Sequence, residues 1–320
     1  MTSIGARIAG IGGYLPSKVT TNDALAKILN TSDAWISSRS GILQRHIAAN
    51  DELTSDLGAA AARSALSDAG LTVDQIDCII VATTTPDRTF PATAAYIQHK
   101  ISARAGIPAF DVQAVCSGFV YALTIAQSMV ASGAASCVLV IGAETMSRII
   151  NWQDRSTAVL FGDGAGAVIV CASDEDQFIG HHLACDGAQA DLLCVDGGVS
   201  YNHEVGYLTM QGKEVFRHAI ENIAETICTL LSSSGLTIAD IDWFVPHQAN
   251  ARIIQAVGQK VGLPDEKVVL TVSEHANTSA ASIPLALWTA RQDGRLKRGQ
   301  IVMTEAMGGG FTWGGNLFRF

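Results

Sequence analysis

The chain has no apolar run near the roughly 20 residues that a bilayer-crossing helix needs; Gly, Ser or charge cuts every hydrophobic stretch earlier. It has no CxxC pair, so its seven cysteines do not read as a zinc ligand set. Their odd number, and the place of several in apolar runs such as "CIIVAT" and "CVLVIG", fits intracellular usage rather than a disulfide framework. No P-loop, HExxH or EF-hand pattern is present. Charged residues are scarce, at 16%, and they sum to a formal −9, which argues against general nucleic-acid binding. The N-terminal stretch "MTSIGARIAGIGGYLP" lacks the long apolar core of a secretory signal and reads as a first strand. The expectation is a cytoplasmic protein with no membrane span and no metal.

What the chain has is hydrophobic bulk and a repeat. Its 320 residues are 48% hydrophobic, enough for large cores and about two domain-sized units. The motif "GLTxxxID", followed by an apolar run, occurs at 70–77 and again at 235–242. Further segments match at nearly the same spacing: "IQHKISARAGIP" with "IQAVGQKVGLP", and "CSGFVYAL" with "ASIPLAL". Two similar halves follow, about 1–170 and 171–320, with no Pro-, Gly- or Ser-rich linker between them. Each half alternates β-branched runs with helical stretches, as in an α/β fold whose sheets are covered by helices. The region 171–210 reads as an irregular surface insertion, and "FGDGAGAVIV" as a tight loop of closely approaching backbones leading into a strand.

Three polar residues fall where such a fold gathers chemistry, at the ends of strands. Cys116 interrupts the apolar run "DVQAVCSGFVYAL" at a strand–helix seam, where helix N–H groups and dipole favour a thiolate. His247 ends the second-half strand in "VPHQAN", and Asn277 precedes the second-half counterpart of the cysteine helix. The repeat sets all three at equivalent edges of the two halves, so they can converge. The other seven histidines read as ordinary surface or core residues. The Gly-rich "MGGGFTWGG" at 307–315 can present backbone N–H groups to an oxyanion.

With these motifs in view, the chain resembles the β-ketoacyl-acyl carrier protein synthase III family, initiating condensing enzymes of bacterial type II fatty acid synthesis in the thiolase superfamily. The resemblance runs through "TSDAWISSRSGILQRHIA", "AFDVQAVCSGFVYAL", "DRSTAVLFGDGAGA", "VPHQANARI", "ANTSAASIPLAL" and "GGGFTWGG". It implies a thiolase-like fold, two similar α/β halves in an α-β-α-β-α layering. It implies condensation of a short acyl-CoA with malonyl-acyl carrier protein through an acyl-Cys116 intermediate, with His247 and Asn277 as partners and no cofactor. Cys116 and Gly309 would supply the oxyanion N–H groups. Trp35, Arg39 and Arg155 fall in the family's coenzyme A site, and Phe90 and Met307 at its acyl pocket. Arg252 matches a carrier-docking position, Arg217 stands where the family often has Lys, and Lys213 and Lys260 would extend the basic patch. A homodimer is implied as well, with Phe90 reaching the partner subunit. Met307 replaces an aromatic residue common there, which bears on acyl preference.

Two other readings stay open on the sequence. A related condensing enzyme of specialised metabolism would use another acyl-CoA starter. A non-catalytic acyl-CoA-binding scaffold would share the fold without acylating Cys116. A thiolase, which uses a second cysteine near the C-terminus, fits less well, because the last cysteine is Cys228.

Overall fold

The computed structural model describes residues 4–320; Met1–Ser3, the start of the expected first strand, lie outside the described residues. Nine of the strands and six of the helices position the site. The strands are β1 (Gly5–Tyr14), β2 (Cys78–Ala82), β3 (Ala109–Val112), β4 (Cys137–Thr145), β5 (Asp163–Ser173), β6 (Phe178–Cys185), β7 (Trp243–Pro246), β8 (Ile301–Gly308) and β9 (Thr312–Arg319). The helices are α1 (Asp33–Ser40), α2 (Thr54–Ala69), α3 (Gly118–Ala131), α4 (Gly212–Ser234), α5 (Ala251–Val261) and α6 (Ser282–Gln292).

Two sheets form the frame. The first runs β1-β5-β4-β2-β3 and the second β7-β8-β9-β6. The apolar runs that follow the repeated "GLTxxxID" become β2 and β7. Each pairs in parallel with the next long strand, β2 with β4 and β7 with β8, and both of those pair antiparallel with the strand beyond. Every residue of β2 and β4 is buried, as expected for strands covered on both faces.

Burial sorts the helices into layers. The apolar α3 and α6 lie between the sheets, packing Phe119, Leu123, Ile283 and Leu287 against Ile80 and Val140 on one side and Val245 and Val302 on the other. Helix α2 covers the outer face of the first sheet through Leu57, Ala61 and Ala65. Helices α4 and α5 cover the outer face of the second through Ile223, Ile227 and Val257. The result is the five-layer α-β-α-β-α arrangement. Helix α4 shows its origin plainly: one apolar stripe, an exposed charged side, and a left-handed stop at Gly235 with φ 69°. Among the described residues no helix is long and apolar enough to cross a membrane.

Two sequence expectations fail here. The stretch 178–185 is not surface insertion but β6, an edge strand of the second sheet paired with β9. "FGDGAGAVIV" is not a loop: Gly164 and Gly166 lie inside β5. The close approach itself is real, since a Cβ on Gly166 would sit 2.6 Å from the Leu285 N of α6.

Candidate active site

Cys116 sits in a single 3-10 turn, Val115–Ser117, that leads straight into α3. Asn277 and the turn Ser279–Ala281 lead in the same way into α6. The two turns share a backbone oddity. Val115 has φ 48° and Ser279 φ 49°, at the same distance ahead of their helices. A β-branched residue in the left-handed region costs about 1–3 kcal/mol and persists only where the surroundings hold it. Here they do. The end of β8 presses on the turn so closely that a Cβ on Gly308 would lie 2.6 Å from the Cys116 N. Ser117 Oγ is hydrogen-bonded to Ala114 O at 2.7 Å and to Thr312 Oγ1 at 2.8 Å, and Thr312 Oγ1 reaches Gly309 O at 3.1 Å. These bonds tie the cysteine turn to the glycine turn. Among the described residues neither the Cys116 N–H nor the Gly309 N–H donates to a backbone carbonyl.

His247 follows β7 and is held by its own N–H, which donates to Glu305 O at 2.8 Å. Its Nδ1 lies 2.6 Å from Ser282 Oγ at the start of α6. Asn277 is pinned through its backbone, donating to Leu160 O at 2.9 Å and accepting from Gly162 N at 3.0 Å. Its Oδ1 accepts from Ser279 N at 2.9 Å, which directs Nδ2 away as a donor. Cys116, His247 and Asn277 are only 5%, 6% and 6% exposed, and all three line one cavity of about 360 Å³. Its walls are mostly hydrocarbon, including Leu193, Leu208, Val215 and Ile223.

That wall sets the charge states. Burial pushes the Cys116 thiol up to about 12, with the nearby Glu144 carboxyl adding to the rise. Burial thus works against the lowering expected from the helix N-terminus and favours a neutral resting thiol. Burial lowers His247 to about 3, so its imidazole is neutral as well. The Ser279 hydroxyl approaches both the thiol and the Glu144 carboxyl and favours the ionised form of each, without reaching good hydrogen-bond geometry to either.

The other expected residues divide. Trp35, Arg39, Arg252 and Met307 line the same cavity. Arg155 is outside that lining; its guanidinium stacks 4.6 Å from the Trp35 ring centroid and donates to Asn30 O at 2.7 Å. Phe90 is not brought to the cavity of its own chain and stands 81% exposed. Lys213 and Lys260 are exposed. Arg217 is already engaged on its own helix, 2.8 Å from Glu214 and 3.6 Å from Glu221. Lys260 lies eight residues beyond Arg252 on α5, about 12 Å along the axis.

Sequence reasoning missed three polar residues. Ser282 touches His247, but a serine opening a helix reads as an ordinary boundary residue. Glu144, fully buried at the end of β4, accepts from the Thr84 and Thr85 N–H groups at 3.1 Å each and from Thr85 Oγ1 at 2.6 Å. It thereby anchors the "TTT" turn; a lone Glu ending an apolar run was the available signal. Glu305 lines the cavity with an unpartnered, buried Oε2, and burial raises its carboxyl well above the usual range.

Comparisons with known proteins agree with this geometry. The family model described as "3-Oxoacyl-[acyl-carrier-protein (ACP)] synthase III" matches residues 110–187, and its C-terminal companion matches residues 231–320. The beta-ketoacyl-[acyl-carrier-protein] synthase III of Hyphomonas neptunium is 55% identical over 98% of both chains. That of Erythrobacter litoralis is 56% identical over 99% of this chain and 100% of its own. The crystal structure of the 3-oxoacyl-[acyl-carrier-protein] synthase III of Aquifex aeolicus superposes with TM-score 0.94 at 44% identity, covering 99% of this chain and 100% of that one. The chain belongs to the β-ketoacyl-acyl carrier protein synthase III family of condensing acyltransferases.

Proposed function

We propose that the protein condenses a short acyl group, acetyl in the first instance, from acyl-CoA with malonyl-acyl carrier protein, giving the β-ketoacyl carrier, CoA and carbon dioxide. The observation that carries this reading is the convergence of Cys116, His247 and Asn277, from three separate segments, on one apolar cavity. In the first half-reaction Cys116 Sγ attacks the thioester carbonyl and CoA leaves. The exchange is proton-neutral overall: the proton that Cys116 gives up is the one the CoA sulfur takes. A neutral resting thiol is suited to that exchange. The Cys116 and Gly309 N–H groups receive the oxyanion, and such a donor typically contributes about 3 kcal/mol to barrier lowering.

In the second half-reaction malonyl decarboxylation leaves an enolate. His247, neutral, and Asn277, through Nδ2, donate to its oxygen. The charge develops along the reaction, so these bonds favour the transition state over the bound substrate. The enolate carbon attacks acyl-Cys116, the C–S bond breaks, and the thiolate takes a proton. The chemistry asks for no cofactor.

Around this centre, Trp35, Arg39 and Arg155 hold the CoA adenine and phosphates at the mouth. Met307 bounds the acyl pocket, with Phe90 completing that of a partner subunit in a homodimer. Arg252 is the main docking contact for an acidic carrier protein, with Lys213, Arg217 and Lys260 contributing less because Arg217 is already paired and Lys260 is distant. The chain works as two halves, 1–170 and 171–320, in the cytoplasm. A priming β-ketosynthase from a polyketide pathway superposes with TM-score 0.95 at 34% identity, so a specialised starter is the second reading. Rates with a panel of acyl-CoA starters separate the two. A clear preference for acetyl-CoA supports primary fatty acid initiation, and a preference for a longer or branched starter supports the other.

A further inference from the structure

We propose that Ser282 is a positioning residue that decides which ring nitrogen of His247 carries the proton. The inference rests on the reading of His247 as the donor to the enolate oxygen. A neutral imidazole has one donor and one acceptor, and its partners choose between them. Ser282 Oγ lies 2.6 Å from His247 Nδ1. The Gln248 N–H donates to the same oxygen at 3.3 Å. This second bond is held in place by a fully used side chain. Gln248 Nε2 donates to Pro246 O and Val269 O at 2.9 and 3.0 Å, and its Oε1 accepts from Thr271 N and Val272 N at 2.8 and 3.1 Å.

Ser282 Oγ therefore accepts from Gln248 and has one proton of its own to place. Serines and threonines within α3 and α6 send theirs to a carbonyl one turn back, as Thr124, Ser128 and Thr289 do. Ser282 makes no such bond, and among the described residues His247 Nδ1 is its acceptor. With Nδ1 accepting, the proton of the neutral ring is on Nε2, the nitrogen left to face the cavity. The opposite tautomer would turn Nδ1–H onto Oγ and strand the serine proton in a buried site, at the full desolvation penalty of an unmet donor. Helix α6 does not need this hydroxyl: its N-cap is Ala281, and no side-chain cap bond is made there.

The test is Ser282→Ala in the full chain, with Ser282→Thr as the hydroxyl-retaining control. Nitrogen-15 spectra of the His247 ring, assigned by loss of its signals in His247→Ala, should show a pyridine-type Nδ1 and a protonated Nε2 in the parent. Ser282→Ala should give mixed tautomers. Its condensation rate should fall roughly twofold to fivefold, in proportion to the share of the ring that loses its Nε2 proton, and so by less than the loss of the donor itself. Acetylation of Cys116 by acetyl-CoA should be unchanged, and Ser282→Thr should recover most of the loss. A parent ring protonated on Nδ1, an Ala variant with unaltered tautomer and condensation, or equal loss of acetylation and condensation would each overturn the proposal. Failure of the parent to acetylate Cys116 would sink the functional reading instead, and the ring signals would still report the tautomer.

Discussion

Cys116 and His247 face each other's chemistry as neutral groups, because hydrocarbon surrounds both. A thiol pushed to about 12 leaves little thiolate at neutral pH. Alkylation of Cys116 by iodoacetamide should therefore keep accelerating as pH rises past 9, with no plateau near 7; a plateau below pH 8 would contradict the burial argument. His275, buried beside Asn277, is lowered to about 4 by burial and by His46. Its folded pKa lies below the unfolded 6.5, so below 6.5 the unfolded state binds a proton that the folded state refuses. Stability is complete above pH 6.5 and is lost as pH falls toward 4, by roughly 3 kcal/mol for this residue. Chemical denaturation midpoints across that window should fall steeply in the parent and less steeply in His275→Asn. The proposed trio was legible as residues because each stands at a strand end or a helix start. Its charge state was not, since a helix N-terminus is visible in a sequence and the apolar wall built from distant segments is not.

At the scale of elements, α3 and α6 are the two parts that must be placed well, for each begins at a strained turn carrying the site. Gly166 lets α6 lie on β5, and Gly308 lets β8 lie on the Cys116 turn. Gly166→Ala should cost about 1–3 kcal/mol of stability, read from the denaturation midpoint, because the new Cβ meets backbone that cannot rotate away. The strands of "CIIVA" and "CVLVIGAET" were readable because both faces are buried and the runs are uniformly apolar. Two strands were not. In β5 the glycines that allow close packing suggest a loop by composition. In β6 the sequence "FIGHHLAC" carries two histidines and a glycine, as a partly exposed edge strand can. The glutamates that neutralise Arg217 stood at i−3 and i+4 in the sequence, where helical spacing makes them neighbours.

For the whole molecule, the cavity opens beside Arg252 on an otherwise acidic protein. If an acidic carrier docks there, Arg252→Glu should raise the KM for malonyl-acyl carrier protein roughly tenfold and leave Cys116 acetylation by acetyl-CoA intact. Steady-state and half-reaction assays on one preparation separate those effects. Equal losses in both would place Arg252 in the fold or the CoA site rather than at the carrier. In the proposed reaction Cys116 carries the acyl group between two half-reactions. Intact-protein mass after mixing with acetyl-CoA alone, followed by peptide mapping and then by addition of malonyl-acyl carrier protein, reads that transfer itself. One acetyl group should appear on the Cys116 peptide and be discharged on the second addition, with formation of acetoacetyl carrier. An unlabelled Cys116 with every acyl-CoA tried, or an acetyl group that stays on the enzyme while product forms, would contradict it.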